Sequence, residues 1–149
     1  QYKGTPLVKH MMSVLGATGI DRIYVSGEIE GYDCLKDDEP LSGPARAIIG
    51  VLSKLDLPSG LLVVPVDMPL LKAETLSLLL KHSNGAYFRG FPLPAYIREA
   101  SLIGTSTHSV RSLLQQTGAE EISLPDHLLA TMKNVNTPQD WGEINGHEC

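Results

Sequence analysis

The sequence predicts an α/β protein with a mixed sheet. Five of the six residues in 61–66 are aliphatic, which is typical of a strand buried on both faces of a sheet. Amphipathic helical segments alternate with short apolar strands, and a strand–helix–strand unit requires a parallel crossover. The strand candidates 86–89 and 94–97 are close together, so we expect antiparallel neighbours or one bent strand. Together these observations predict both parallel and antiparallel pairing.

Composition predicts one compact domain over residues 1–149, large enough to bury a core. Hydrophobic residues make up 42% and charged residues 19%, as in ordinary globular proteins. The net charge of -5 and the lack of a basic run give no reason to expect a nucleic-acid partner. No apolar stretch has transmembrane length and no signal peptide is evident, so we expect a cytoplasmic protein without a membrane partner.

Local signals place the elements in order along the chain. Thr5 and Pro6 predict a helix start with a capping hydroxyl and proline in the first turn, and Gly43-Pro44 predicts a second start. The predicted elements are a helix from Thr5-Pro6, a strand at 23–25, a loop at 28–42, a helix from Gly43-Pro44, a strand at 61–66, a helix at 72–82, strands at 86–89 and 94–97, a helix at 107–117, strands at 120–124 and 132–136, and a terminal helix after Thr137.

Two polar residues stand where predicted strands end. Asp67 follows the aliphatic run, and Asn136 ends the last predicted strand, just before a capping box formed by Thr137 and Asp140. Open α/β sheets bind ligands at the carboxyl ends of their strands, and Mg²⁺ takes a few oxygen ligands from protein. A sparse metal site for phosphoryl or nucleotidyl transfer is one interpretation. The other is that Asp67 caps the next helix and Asn136 is a turn residue.

Several segments resemble one enzyme family. Residues 64–71 resemble the metal-binding signature of nucleotidyltransferases with the nucleotide-diphospho-sugar transferase fold. Residues 134–140 resemble the carboxyl-terminal motif of molybdenum cofactor guanylyltransferases, the molybdopterin-guanine dinucleotide biosynthesis protein A family. Residues 1–7 resemble the segment after that family's Gly-rich loop, Gly43-Pro44 matches the start of its Gly-Pro-Leu-Ala-Gly element, and 92–95 resembles a further segment. The resemblance thus spans nearly the whole chain in order.

The resemblance implies a fold, a reaction and a metal. The fold is a three-layer α/β/α, Rossmann-like mixed sheet. The reaction is transfer of GMP from GTP to molybdopterin or molybdenum cofactor with release of pyrophosphate, and handover of the product to molybdoenzymes or their chaperones is a further expectation. Asp67 is expected to hold Mg²⁺ as the catalytic metal ligand, with Asn136 as a second or water-mediated ligand. Whether Asn134 or Asn136 lies nearer the metal depends on strand register and stays open.

The resemblance also assigns the nucleotide side of the site. Ser26 and Gly27 fall where the family contacts the base or ribose, and Gly43 and Pro44 belong to the same side. Asp37 or Asp38 falls where an acidic residue reads guanine, and the distance to Gly43 favours Asp37. A carboxylate can accept hydrogen bonds from the two N–H groups of guanine. The alternative for either acid is a solvated position in an acidic loop.

The candidates for the acceptor side are Arg46, Arg89 and Pro92. Arg89 and Pro92 lie in the later half of the chain, which the resemblance assigns to the second substrate, and an arginine can pair with the pterin's phosphate. The alternative for Arg46 and Arg89 is a solvated surface position. Two departures from the family pattern leave other functions open. The Gly-rich loop that wraps the triphosphate is absent from these 149 residues, so we expect a longer chain, the alternative being a non-catalytic cofactor-binding homologue. Residues 45–47 read Ala-Arg-Ala instead of Leu-Ala-Gly, which leaves open a related nucleotidyltransferase with another nucleotide or acceptor.

Overall fold

The computed structural model describes residues 4–20, 22–26, 30–35, 44–54, 60–98 and 109–146. The helices in these ranges are α1 (Leu7–Ala17), α2 (Pro44–Lys54), α3 (Ala73–Leu80), α4 (Val110–Gln116), α5 (Pro138–Gly146) and a 3-10 helix (Asp126–Met132). The strands are β1 (Val25–Ser26), β2 (Cys34–Leu35), β3 (Leu61–Val63), β4 (Gly85–Phe88), β5 (Phe91–Ile97) and β6 (Glu120–Ile122). None of the helices in the described ranges combines the length and apolarity needed to cross a bilayer.

The main sheet is mixed, as predicted. Its four strands lie in the order β3-β5-β4-β6. β5 runs antiparallel to both of its neighbours, whereas β6 runs parallel to β4. It follows that β3, β4 and β6 point the same way, so their carboxyl ends share one edge of the sheet. This edge carries the residues that follow β3 and β4.

Helices cover both faces of this sheet, which confirms the α/β class and the three-layer arrangement. Side chains alternate along a strand, so Ala86 and Phe88 of β4 face one layer and Tyr87 faces the other. On the first face they join Met11 of α1 with Leu76 and Leu79 of α3. The second face is covered by α2 and α4, and its buried members are Ala45, Ile48, Tyr87, Ala95, Ile97, Val110, Leu113 and Leu114.

Two amino-terminal details differ from the sequence prediction. The first helix begins at Leu7, so that Pro6 is the N-cap and no side-chain capping bond forms there. Part of the segment predicted as a loop, Cys34–Leu35, pairs in parallel with β1 in a separate two-stranded sheet. The Val25 N–H donates to the Asp33 carbonyl at 2.8 Å, which extends this contact beyond the two paired residues. Within the described ranges β1 is thus bonded to β2, and β3 to β5.

The segment around Asp67 is strand for less of its length than predicted. β3 ends at Val63, two residues before Pro65, which has no N–H to donate to a ladder. Its side chains do reach both faces, since Leu62 packs in one layer and Leu61 and Val63 in the other. They are half-buried, where the sequence suggested full burial. The residues from Val64 to Leu71 therefore form an irregular connection between β3 and α3.

The prediction of a last strand at residues 132–136 is wrong. Residues 126–132 form a 3-10 helix that buries Leu128 and Met132, and residues 133–136 belong to neither a helix nor a strand. The Val135 N–H of this segment donates to the Asp67 carbonyl in the connection after β3, at 2.7 Å. A single such bond does not make a ladder. The segment therefore contacts an irregular connection instead of pairing as a strand.

Candidate active site

Asp67 lies just beyond the carboxyl end of β3, at the sheet edge where sequence analysis placed it. Its side chain is half-buried. Its neighbours on the carboxyl side, Met68 and Pro69, are among the fully buried side chains, whereas Val66 on the other side is 41% exposed. The chain is therefore anchored immediately after Asp67, and the carboxylate stands at the boundary between core and solvent.

The segment 133–136 brings an amide to this carboxylate. The side-chain nitrogen Nδ2 of Asn134 donates to Oδ2 of Asp67 at 3.3 Å. The Val135 N–H reaches the Asp67 carbonyl, and the Val135 side chain is 5% exposed and packs with Ile144. Asn134 and Asp67 are separated by 67 residues in the chain. Their meeting joins two segments that the sequence showed only as separate motifs.

A capping box fixes the segment after Asn134, as predicted. The Thr137 hydroxyl accepts from the Asp140 N–H at 3.1 Å, and the Asp140 carboxylate accepts from the N–H groups of Thr137 and Asn136, both at 3.0 Å. These bonds favour the charged carboxylate, so the Asn136 N–H first and then the Thr137 hydroxyl lower the pKa of Asp140. The box ties Asn136 to α5 through its backbone.

An ion pair joins the start of the same segment to α5. Lys133 Nζ donates to the Glu143 carboxylate. That bond raises the pKa of Lys133 and lowers the pKa of Glu143, because each charge favours the other. Both groups are exposed, so the pair orients the segment relative to α5 but adds little to the free energy of folding. Lys133 and Asp140 thus attach both ends of the Asn134-Val135 dipeptide to one helix.

The two asparagines therefore differ in what they contact. The Asn134 side chain donates to the Asp67 carboxylate, whereas Asn136 is exposed and its backbone N–H donates to the Asp140 carboxylate. A role for Asn136 as a metal ligand stays a prediction.

The oxygen chemistry around Asp67 fits a divalent cation with few protein ligands. Asp67 supplies a carboxylate, and rotation of the Asn134 amide would present its oxygen in place of its nitrogen. In the described ranges no group of three histidine, cysteine or acidic residues is placed to hold a metal. This is compatible with Mg²⁺, which commonly takes one or two carboxylates and completes its shell with phosphates and water.

Two of the three acceptor-side candidates lie at the same sheet edge. Arg89 follows β4 and Pro92 lies near the start of the antiparallel β5, so both are at the edge that carries Asp67. The Arg89 side chain is 78% exposed and donates to Glu121 at 3.1 Å. Arg46 is half-buried in the first turn of α2.

The nucleotide-side candidates lie mostly outside the described residues. Ser26 ends β1 and is exposed. For Pro44 the structure gives the backbone, as the first residue of α2. Gly27, Asp37, Asp38 and Gly43 fall outside the described ranges, so their roles stay predictions.

One contact near Asp67 has no counterpart in the sequence analysis. Nε2 of His10, on α1, lies 2.7 Å from the carbonyl oxygen of Pro69. In the sequence, His10 stands beside the apolar residues of the predicted first helix, and this position does not indicate which distant carbonyl its ring contacts.

Comparison with known proteins supports the resemblance found from motifs. The family described as MobA-like NTP transferase domain matches residues 1–122. A molybdenum cofactor guanylyltransferase of Xanthomonas euvesicatoria is 30% identical over 96% of this chain and 82% of its own length. The Bifunctional protein GlmU of Bacillus cytotoxicus is 26% identical over 90% of this chain and 31% of its own length. The chain therefore belongs to the MobA-like NTP transferase family, has the nucleotide-diphospho-sugar transferase fold and is a nucleotidyltransferase.

Proposed function

We propose that this nucleotidyltransferase transfers GMP from GTP to the phosphate of molybdopterin or molybdenum cofactor and releases pyrophosphate, with Mg²⁺ as cofactor. The observation that carries the proposal is the meeting of the Asp67 carboxylate and the Asn134 amide at the carboxyl edge of the sheet. The choice of GTP and acceptor is supported by the name of the guanylyltransferase to which the chain is similar over most of its length.

In the proposed reaction an oxygen of the acceptor's phosphate attacks the α-phosphorus of GTP. A new P–O bond forms, the bond from the α-phosphorus to the bridging oxygen breaks, and pyrophosphate leaves with that electron pair. Mg²⁺, when bound, would supply positive charge to the phosphates. Asp67 would hold the ion, and Asn134, together with Asn136 or through a water, would complete the protein's share of ligands.

The remaining site residues have proposed roles on either side of the reacting phosphate. Ser26, Gly27, Gly43 and Pro44 would contact the nucleotide, and Asp37 or Asp38 would accept from guanine. On the acceptor side, the sheet-edge position of Arg89 supports a contact with the acceptor's phosphate, which would compete with its exposed ion pair to Glu121. Pro92 and Arg46 are further acceptor-side candidates. Handover to molybdoenzymes or their chaperones belongs to the same proposal.

The direct test is product formation with a panel of nucleotides. Protein, Mg²⁺ and molybdopterin are incubated with GTP, ATP, CTP or UTP, and both pyrophosphate and the pterin dinucleotide are measured. We expect the guanine dinucleotide and pyrophosphate in equal amounts with GTP. Faster product formation with CTP or UTP would point to a related transferase, and no pyrophosphate with any nucleotide would contradict the proposal.

The role of Asp67 is tested by Asp67→Asn, which keeps the shape of the side chain and removes its charge. Loss of a group that supports a metal ligand costs about 10–100-fold, so loss of the ligand's charge should lower turnover by at least ~100-fold. Asp126→Asn, at an exposed acid in the 3-10 helix, is the charge-matched control and should keep full activity. Normal turnover in a folded Asp67→Asn variant would exclude the metal role.

A further inference from the structure

Two carbonyl groups in the connection after β3 accept hydrogen bonds from distant parts of the chain. The Asp67 carbonyl accepts from the Val135 N–H at 2.7 Å, and the Pro69 carbonyl accepts from His10 Nε2, also at 2.7 Å. Pro69 is fully buried. A buried carbonyl without a donor costs free energy, so the His10 ring stabilises the connection by donating to the Pro69 carbonyl.

His10 is held firmly enough to act as a fixed donor. It lies on α1 directly before Met11, which is 4% exposed and packs in the same cluster as Met68. The ring itself is half-buried. Since a carbonyl oxygen only accepts, Nε2 must carry the hydrogen, which selects one tautomer of the neutral ring. The contact therefore joins α1 to the connection through a short directional bond, across 59 residues of sequence.

We propose that His10 is a positioning residue for Asp67. The bond fixes the backbone two residues after the carboxylate, the Val135 N–H fixes Asp67's own carbonyl, and buried Met68 lies between them. Asp67 is thus held from α1 on one side and from the segment before α5 on the other. Displacement of a ligand by about 0.5 Å is enough to impair a site of this kind. This inference rests on the proposed function, because it concerns the geometry of the proposed metal ligand.

The test compares two substitutions of His10 with one control. His10→Leu keeps a bulky side chain and removes the donor, whereas His10→Gln places an N–H group near the position of Nε2. His127→Leu removes an exposed histidine that pairs with Glu74 in another part of the fold. Binding of Mn²⁺ alone, measured by electron paramagnetic resonance, reports the site without the reaction.

We expect His10→Leu to weaken Mn²⁺ binding and raise the Mg²⁺ needed for half-maximal turnover by about 10–100-fold, as when a ligand loses its support. His10→Gln should recover most of this loss, and His127→Leu should match the wild type. Nitrogen NMR of the wild type should show His10 with its hydrogen on Nε2. The inference would be overturned by wild-type Mn²⁺ binding in His10→Leu, by Mn²⁺ binding in His10→Gln that stays well below the wild-type level, or by the Nδ1–H tautomer in the wild type. The last two results remain informative if His10→Leu does not fold.

The same experiments distinguish failure of this inference from failure of the proposed function. A wild type that binds Mn²⁺ through Asp67, shown by loss of binding in Asp67→Asn, but forms no dinucleotide would overturn the reaction and leave the role of His10 standing. A wild type that forms the dinucleotide while His10→Leu binds Mn²⁺ normally would overturn only the role of His10. Absence of Asp67-dependent Mn²⁺ binding in the wild type would overturn the positioning role itself.

Discussion

Gly85, the first residue of β4, allows a quantitative test of how the central hairpin is built. Its φ is +86°, and a Cβ there would overlap the carbonyl oxygen of Tyr96 and come within 3.3 Å of the carbonyl carbon. Left-handed backbone costs an L-residue about 1–2 kcal/mol. Overpacking in a core typically adds about 1–3 kcal/mol. Gly85→Ala should therefore lower the free energy of unfolding by roughly 2–5 kcal/mol, a large share of the ~5–15 kcal/mol that holds an ordinary domain together.

Gly90, at the other end of β4, provides the control for this substitution. Its φ is +83°, nearly the same, but a Cβ there meets nothing within 4 Å. Gly90→Ala should therefore cost only the conformational term of about 1–2 kcal/mol. Urea unfolding followed by far-ultraviolet circular dichroism gives both free energies and shows whether the slopes agree. Equal losses in the two variants would refute the argument that the approach of Tyr96 to Gly85 is what excludes a side chain.

Two further predictions concern the segment before α5 and the first turn of that helix. Asn134→Ala should lower kcat/KM for the proposed reaction by about 10–100-fold and more than Asn136→Ala, because Asn134 contacts Asp67; a greater loss in Asn136→Ala would reverse the assignment. Asp140→Asn should destabilise the protein at neutral pH. The lowered pKa of Asp140 means that its contribution is fully present above the ordinary value of 3.8 and is lost as pH falls through the folded-state value. Urea unfolding at several pH values should therefore show the two proteins converging in strong acid, and a constant difference would contradict the linkage.

The parts of the fold that follow from local chemistry were predicted from the sequence. Pro44 begins α2 as expected, and Thr137 with Asp140 forms the capping box. The aliphatic run before Asp67 contains a strand that reaches both layers of the core. In each case the signal lies within a few residues of the feature it predicts, because turn chemistry, capping and side-chain periodicity are local properties of the backbone.

The parts that depend on distant partners could not be predicted. Cys34 and Leu35 pair with β1 although their neighbours read as a polar loop, and β-strand formation depends on such context. The segment 133–136 has the pattern of a strand, but its partner is the turn at Asp67. For the site, Asp67 stood out in the sequence as a strand-end acid, while the contact between Asn134 and Asp67 could be found only in three dimensions. No residue pattern near His10 or Pro69 in the sequence indicates the hydrogen bond between them.

The 67-residue separation between Asp67 and Asn134 has a consequence for when the site forms. A chain made from its amino end contains Asp67 long before Asn134, and three of the four strands of the main sheet, β4, β5 and β6, are made in between. Contacts this far apart close a long loop, which delays them relative to local structure. During synthesis the Asp67 carboxylate is therefore present before the Asn134 amide that contacts it, and the core can assemble before the site is complete. Metal binding should accordingly appear as a late event in refolding.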